Sequence, residues 1–228
     1  MSAVQRAAAV EELFPPGVIA FEIRGPAPAA ADLFPVEREH MANAVASRVR
    51  EFAAGRSCAR AGLAVLGAMH AALPPGPDRR PQWPSGVVGS ISHTHDYCVA
   101  VLGRTARFSA IGVDAERVQD VDPSVWPLTL RAEEIARLDG LDERARQRHA
   151  AIAYCAKEAF YKFQYELTRS WLDFEDVSVD AVGHAFEVTV HAPSHAIHQI
   201  RSRWSGKFSI DDTLVIAAIA AEQPAPTR

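Results

Sequence analysis

Apolar positions at helical spacing dominate the first part of the chain. Between Val36 and Phe52 they predict one helix, in which the repeating apolar residues are Met41, Val45, Val49 and Phe52. Gly55 interrupts this pattern, and a second helix is predicted from about Ser57 to Ala72. The proline-rich run that begins at Pro74 should end it.

Runs typical of β-strands follow these helices. Three of them are separated by short connections that permit hairpins, so they are predicted to form an antiparallel meander: Val87 to His93, Tyr97 to Gly103 and Phe108 to Glu116. An earlier apolar stretch, from Val18 to Ile23, predicts one more strand between loops.

The second half of the chain repeats the order of helices and then strands. Helices are predicted near Arg131–Leu138 and Asp142–Leu167, and two strand pairs follow: Val177–Asp180 with Phe186–His191, and Arg203–Ile210 with Thr213–Ala220. The predicted fold class is therefore α+β, with two lobes of similar plan, each a small antiparallel sheet packed with helices. The charged stretch Arg117–Pro127 marks the boundary, which gives lobes at 1–117 and 118–222 and a disordered tail at 223–228.

Composition narrows the possible partners. A net charge of −4 and a hydrophobic content of 48% are ordinary for a globular protein and give no reason to expect nucleic-acid binding. Apolar runs are too short to span a bilayer, and the N-terminus lacks the apolar core of a signal peptide. The 3 cysteines are far apart, which indicates buried thiols and a cytoplasmic protein.

The run Gly112-Val113-Asp114-Ala115-Glu116 carries the first chemical signal. Alternate side chains of a strand share a face, so Asp114 and Glu116 should project together, about 7 Å apart along the backbone. Two adjacent carboxylates repel each other unless a cation lies between them. Oxygen ligands of this kind suit Mg²⁺, which completes its shell with water and substrate phosphates. A solvated strand end is the simpler alternative.

The helix near residues 150–167 supplies the second signal. Its apolar stripe leaves Lys157, Glu158, Tyr161 and Lys162 on one contiguous arc. A third carboxylate between two ammonium groups fits metal and phosphate binding. An ordinary stabilising pair between Glu158 and Lys162 would also explain this spacing.

The motifs occur in the order of a known family. The chain resembles the 4′-phosphopantetheinyl transferases, and among them the long, two-lobed type that activates enterobactin, surfactin and mycobacterial polyketide or fatty-acid synthases. Five blocks carry the resemblance: Arg48–Arg60, Arg79–His93, Ile111–Glu116, Cys155–Lys162 and Trp171–Asp176.

The resemblance implies a reaction and a set of site residues. The 4′-phosphopantetheine arm of coenzyme A would move to a serine of an acyl or peptidyl carrier protein, with release of adenosine 3′,5′-bisphosphate. The carriers would belong to fatty-acid, polyketide or non-ribosomal peptide synthesis, siderophore synthesis included, as for a holo-[acyl-carrier-protein] synthase. Mg²⁺, or Mn²⁺ in its place, would bind Asp114, Glu116 and Glu158, and Glu158 would be the base, a metal ligand or both.

The remaining implied residues bind coenzyme A, and the chain should be a monomer because it holds both halves of a site that half-length relatives build between subunits. Lys157 and Lys162 would bind the pyrophosphate, and Tyr161 and Trp171 would flank the pantetheine arm. The other phosphate contacts would come from Arg48, Arg56, Arg79 or Arg80, Ser92 and His93. Carrier docking is expected on the segment Trp126–His149, which is both apolar and basic.

Alternative functions use the same residues. A Mg²⁺-dependent nucleotide phosphoester hydrolase would need the same carboxylates, and a non-catalytic module that binds coenzyme A or a carrier would need the same basic groups. A hydrolase built on Ser90, Ser92 and His93 is disfavoured because a Gly-x-Ser-x-Gly turn is missing. A metal pair of His93 with His95, and a zinc site formed by His191, His195 and His198, are also disfavoured.

Overall fold

The computed structural model describes residues 3–25, 33–68, 72–191 and 201–224. The chain packs into two units: residues 1–109 together with 222–228, and residues 110–221. Each unit combines helices with one sheet, so the predicted α+β class is confirmed.

The N-terminal unit is a four-stranded sheet covered by one long helix. Its elements are β1 (Gln5–Arg6), α1 (Ala8–Glu11), β2 (Ile19–Arg24), α2 (Pro35–His40), α3 (Ala46–Val65), β3 (Val87–His93) and β4 (Tyr97–Arg104). The strand order is β1-β2-β4-β3, and neighbouring strands are antiparallel. Apolar side chains of α3 and the sheet, such as Leu63 and Leu102, form its core.

Helix α3 runs through Gly55, so the prediction of a helix break there is wrong. A Cβ atom at Gly55 would lie 2.9 Å from Cγ2 of Ile91, and one at Gly62 would lie 2.4 Å from Cδ1 of Leu102. These glycines therefore allow the helix to approach the sheet closely. The break falls earlier, between α2 and α3, within the stretch that was predicted to be one helix.

The C-terminal unit is a five-stranded sheet packed on a long helix. Its elements are β5 (Phe108–Arg117), α4 (Trp126–Thr129), α5 (Ala132–Ala136), α6 (Glu143–Thr168), β6 (Val177–Val182), β7 (Ala185–Val190), β8 (Arg203–Ile210) and β9 (Leu214–Glu222). The order is β5-β9-β8-β7-β6, and both predicted strand pairs are confirmed. Short 3-10 turns precede α4 and β6.

The sequence predicted that β5 forms an antiparallel meander with β3 and β4, and this prediction is wrong. The free edge of β4 pairs with β2, and β5 lies beside β9 in the other sheet. Ala110 and Val113 point to opposite faces of the strand and both are fully buried, so the strand needs neighbours on both sides. The division of packing falls inside β5, between residues 109 and 110, whereas the sequence placed it after residue 117.

Helix α6 has clear local signals at both ends. The side chain of Asp142 accepts a hydrogen bond from the backbone N–H of Ala145 (2.8 Å), which caps the N-terminus. Arg169 adopts a left-handed conformation (φ 57°) and ends the helix. Between them the buried stripe includes Cys155, Ala159 and Phe163.

Two terminal features complete the fold. The backbone N–H of Gln223 donates to the carbonyl of Arg107 (2.6 Å), while residues 225–228 of the predicted disordered tail lie outside the described residues. Within the described ranges, every helix is too short or too polar to cross a membrane.

Candidate active site

Strand β5 and helix α6 cross in close contact at Gly112. A Cβ atom there would lie 2.1 Å from the carbonyl oxygen of Ala159 and 2.8 Å from Cβ of Phe163. Only a residue without a side chain permits this approach. It brings the end of β5, with Asp114 and Glu116, to the face of α6 that carries Glu158 and Lys162.

Asp114 and Lys162 form an ion pair at this crossing. Asp114 is only 2% exposed, and Lys162 Nζ donates to its Oδ1 at 2.7 Å and to the carbonyl of Val113 at 3.2 Å. Burial opposes the charge of Lys162, but the Asp114 carboxylate outweighs it and raises the pKa of the ammonium. Lys162 is therefore held as a cation beside the carboxylates.

Glu116 and Glu158 complete a cluster of three carboxylates. Burial, together with the Asp114 charge, raises the pKa of Glu116 to about 8, and Glu158 adds to this effect. The pKa of Glu158 is raised by burial and by Asp114. Ionisation of all three carboxyl groups is thus unfavourable here despite the Lys162 ammonium, and a bound cation would favour it.

The donor chemistry of this cluster fits Mg²⁺, since all three predicted ligands are carboxylates. Their geometry is looser than a formed site. In the described ranges, three or more His, Cys, Asp or Glu side chains nowhere converge as metal ligands would. Lys162 holds one oxygen of Asp114, and a metal would have to draw Glu116 and Glu158 towards the same point.

Lys157 is separated from the cluster, although the sequence predicted that it binds phosphate beside Lys162. Its side chain is fully buried, and Nζ donates to Glu134 Oε2 (2.7 Å), Thr129 O (2.9 Å) and Phe174 O (3.0 Å). Burial lowers the pKa of Lys157, and the Glu134 carboxylate partly offsets this. The helical arc placed Lys157 correctly beside Glu158 but did not indicate that α4 and α5 cover it.

Aromatic side chains border the Glu158 face of α6. Tyr161 donates its hydroxyl to the carbonyl of Asp173 (3.1 Å) and packs its ring edge-on against Phe174, with ring centroids 5.3 Å apart. Tyr154 stacks on the same Phe174 ring at 5.6 Å. Trp171, predicted to flank the pantetheine arm, is 78% exposed, which leaves its ring available to a ligand. Sequence reasoning gave Phe174 no role.

In the N-terminal unit, Arg48 and His93 are brought together. Arg48 Nη1 lies 2.8 Å from His93 Nε2, and both side chains approach Oε2 of Glu51, at 3.4 Å and 3.7 Å. Glu51 was missed by the sequence argument, although it lies one helical turn after Arg48. Ser92 is buried, as expected for the residue that alternates with His93 on β3.

The other predicted phosphate ligands of this unit differ in accessibility. Arg56 is buried over the Phe52 ring and donates from Nε to the carbonyl of Leu73 (2.8 Å), and burial lowers its pKa to about 10. Arg79 is exposed in a left-handed turn (φ 65°), while Arg80 donates from Nε to Asp78 (2.8 Å). Arg56 is thus anchored inside the unit through Nε, and Arg79 is at its surface.

The expected docking segment is more internally bonded than its sequence indicated. Trp126, Leu130 and Leu138 are buried, whereas Leu128 is 74% exposed. Four of the segment's five arginines have acidic partners in the same unit: Arg131 pairs with Glu133, Arg137 with Asp180, and Arg144 and Arg148 with Asp212.

The histidines outside the site have ordinary surroundings. His191 Nε2 lies 2.8 Å from the hydroxyl of Ser178, and His95 lies 3.6 Å from Asp96. His195 and His198 lie outside the described residues.

Comparison with known proteins settles the family. Residues 36–103 match the 4′-phosphopantetheinyl transferase N-terminal domain, and residues 110–219 match the 4′-phosphopantetheinyl transferase superfamily. The chain belongs to this superfamily. The resemblance inferred from its five sequence blocks is therefore confirmed.

Individual transferases extend this match over most of the chain. The 4′-phosphopantetheinyl transferase Npt of Nocardia iowensis is 31% identical over 92% of this chain and 99% of its own. Svp of Streptomyces mobaraensis is 35% identical over 86% of this chain and 81% of its own. PptT of Mycobacterium tuberculosis is 39% identical over 64% of this chain and 63% of its own.

The predicted site residues of this phosphopantetheinyl transferase are divided between the two matched segments. The carboxylates, Lys162 and the aromatic residues lie in the superfamily match at 110–219. Arg48, Arg56, Arg79, Arg80 and His93 lie in the N-terminal domain match at 36–103.

Proposed function

We propose that this transferase moves the 4′-phosphopantetheine arm of coenzyme A to a serine hydroxyl of a carrier protein. The observation that carries the proposal is the cluster of Asp114, Glu116 and Glu158 around the Lys162 ammonium, in a chain of this superfamily. Such a cluster can accept a cation and a pyrophosphate together.

The reaction needs one bond to form and one to break at phosphorus. The serine oxygen attacks the phosphorus that bears the pantetheine arm, the bond to the bridging pyrophosphate oxygen breaks, and adenosine 3′,5′-bisphosphate leaves. The serine proton must go to a base. Glu158 is suited to accept it because burial and Asp114 raise the pKa of its carboxyl.

Charge stabilisation should supply much of the rate. Lys162 can donate to the pyrophosphate oxygens, and we assign Arg48, His93, Arg79 and Arg80 to the coenzyme A phosphates. Mg²⁺ or Mn²⁺, when held by Asp114, Glu116 and Glu158, would neutralise pyrophosphate charge. We exclude Lys157 from direct contact because its three N–H donors are used inside the protein, and we keep Arg56, whose Nε bonds to Leu73, among the proposed phosphate ligands.

We propose that the partners are carrier domains of fatty-acid, polyketide or peptide synthetases, the narrower acyl-carrier-protein synthase activity included. Leu128 is the exposed apolar residue of the segment Trp126–His149, so we assign it the central contact with the carrier. The paired arginines Arg144 and Arg148 would contribute mainly to the rate of encounter.

One assay tests the proposal. The protein is incubated with coenzyme A, Mg²⁺ and an apo-carrier, and the carrier is weighed by intact mass spectrometry. We expect a gain of one phosphopantetheine in the wild type, and a loss of at least about 100-fold in turnover for Asp114→Asn combined with Glu116→Gln. The surface variant Asp180→Asn is the matched control and should stay active.

The same assay separates the alternatives. Cleavage of coenzyme A without carrier would indicate a hydrolase, and binding without turnover would indicate a module that only binds. In Glu158→Gln, turnover should fall far more than coenzyme A affinity if this residue is the base. Equal losses in both quantities would assign Glu158 to metal or ligand binding instead.

A further inference from the structure

The Lys157 ammonium has no donor left for a substrate. An ammonium carries three N–H bonds, and those of Lys157 are matched by Glu134 Oε2, Thr129 O and Phe174 O at 2.7–3.0 Å. The side chain is fully buried. A phosphate could reach it only if these contacts were broken.

Both carboxylate oxygens of its partner Glu134 also accept hydrogen bonds inside the protein. Oε2 also accepts from the backbone N–H of Arg131, and Oε1 accepts from the backbone N–H of Val179, both at 2.7 Å. The carboxylate is buried together with Lys157. The pair therefore connects the end of α4, the start of α5 and strand β6 to the middle of α6.

The third acceptor of Lys157 leads directly to the active face. Phe174, whose carbonyl accepts from Lys157, packs its ring against Tyr154 and Tyr161. These two tyrosines are neighbours of Glu158 on α6. Burial is the main cause that raises the pKa of both hydroxyls, and the Glu158 charge is the second. Lys157 thus holds the Phe174 turn against the helix face that presents Glu158.

We propose that Lys157 and Glu134 are positioning residues, which fix Glu158 and the turn at Phe174–Asp176 for the transfer and do not bind coenzyme A. This inference rests on the proposed function. It differs from a phosphate-binding role for Lys157 in one testable respect: the losses caused by changes at Lys157 and at Glu134 should fall on kcat and should not add.

A double-mutant cycle tests this coupling. Lys157→Met leaves the Glu134 charge buried without its partner, and Glu134→Gln leaves the ammonium in the same state. Each should lower kcat by about 100-fold, as a misplaced catalytic group does. Lys157→Met with Glu134→Gln removes both charges, so its loss should be no greater than that of either single variant.

Coenzyme A affinity gives the opposing outcome. By calorimetric titration, the dissociation constant of every folded variant in the cycle should stay close to that of the wild type. If Lys157 instead bound a phosphate of coenzyme A, both variants that lack Lys157 would bind coenzyme A more weakly. The double variant would then show the summed losses of the two single variants. Either result would overturn the proposal. The exposed Lys207→Met is the matched control.

Hydrogen exchange provides a readout that does not depend on turnover. In Lys157→Met the amides of Arg131 and Val179, both bonded to Glu134, should exchange faster than in the wild type. Unchanged exchange would contradict the positioning role even if the wild type proved inactive on carriers. A failure of the proposed function is therefore distinguishable from a failure of this inference.

Discussion

Gly112 determines how closely α6 can approach β5, and so where Glu158 and Lys162 lie relative to Asp114. The obstruction that any larger residue would meet is the backbone carbonyl of Ala159, which cannot rotate away as a flexible side chain could. The glycine therefore acts on the site without contacting a substrate.

Gly112→Ala is expected to push α6 away from β5. We predict a lower free energy of unfolding, by about 1–3 kcal/mol as for an overpacked core, and a larger fractional loss in kcat than in coenzyme A affinity. Urea unfolding and carrier modification measure the two effects. A variant with normal turnover would show that the Asp114–Lys162 pair does not need this close crossing.

Two lysines of one motif illustrate what the sequence alone can and cannot predict. Its spacing placed Lys162 on the same helical arc as Glu158, which is a local property, whereas the ion pair of Lys162 with Asp114 depends on the crossing of α6 with β5. The burial of Lys157 depends on α4, α5 and the Phe174 turn, which are distant in sequence. Periodicity on one helix contains no information about such packing.

Helices α2 and α3 together fix the start of the loop that carries Arg79 and Arg80. The buried Glu37 carboxylate accepts from the backbone N–H of Leu73 (2.8 Å), while Arg56 donates to the carbonyl of the same residue. Arg60 Nη1 donates to Glu37 (3.1 Å) and keeps its charge compensated. Both backbone groups of Leu73 are therefore held by helix side chains.

Glu37→Gln should loosen this loop. We expect it to lower the free energy of unfolding by about 3 kcal/mol, because Arg60 loses its buried partner. It should also raise the coenzyme A dissociation constant while kcat at saturating coenzyme A changes little. Denaturant unfolding and calorimetric titration check both effects, with the exposed Glu39→Gln as control. If the affinity is unchanged, the loop of Arg79 and Arg80 does not bind the nucleotide.

Element boundaries were harder to predict than element types. Gly55 was interpreted as a helix break because glycine disfavours helices, but its contact with Ile91 outweighs that local preference. Strand β5 was correctly predicted as a strand and assigned to the wrong sheet. Its partner β9 begins almost a hundred residues later, and short connections favour a neighbour in sequence.

The two units have separate cores, one around α3 and β4 and the other around α6 and its sheet. Large exposed apolar side chains lie on different elements, for example Val45, Leu128 and Val182. Isolated residues of this kind are normal on a monomeric protein. The chain also matches the N-terminal domain model and the superfamily model in two successive segments.

We therefore expect the protein to be a monomer. Light scattering during size-exclusion chromatography, with and without coenzyme A, should give the mass of one chain at micromolar concentration. The fold class was predictable because the order of helices and strands is written in local periodicity, whereas the division of the chain was not, since it follows packing within β5. A mass that rises with protein concentration would contradict the prediction of a monomer.

Because the division between the two units lies inside β5, the last residues of the chain belong to the N-terminal unit. The chain enters the C-terminal unit through β5 and leaves it through β9, which is the adjacent strand, and residues from 222 onwards belong again to the N-terminal unit. There Glu222 pairs with Arg107, and Gln223 bonds to its carbonyl. The C-terminal unit is thus an insertion in an interrupted domain, and a truncation after Ala221 would remove the contacts of Glu222 and Gln223 with Arg107 from the N-terminal unit.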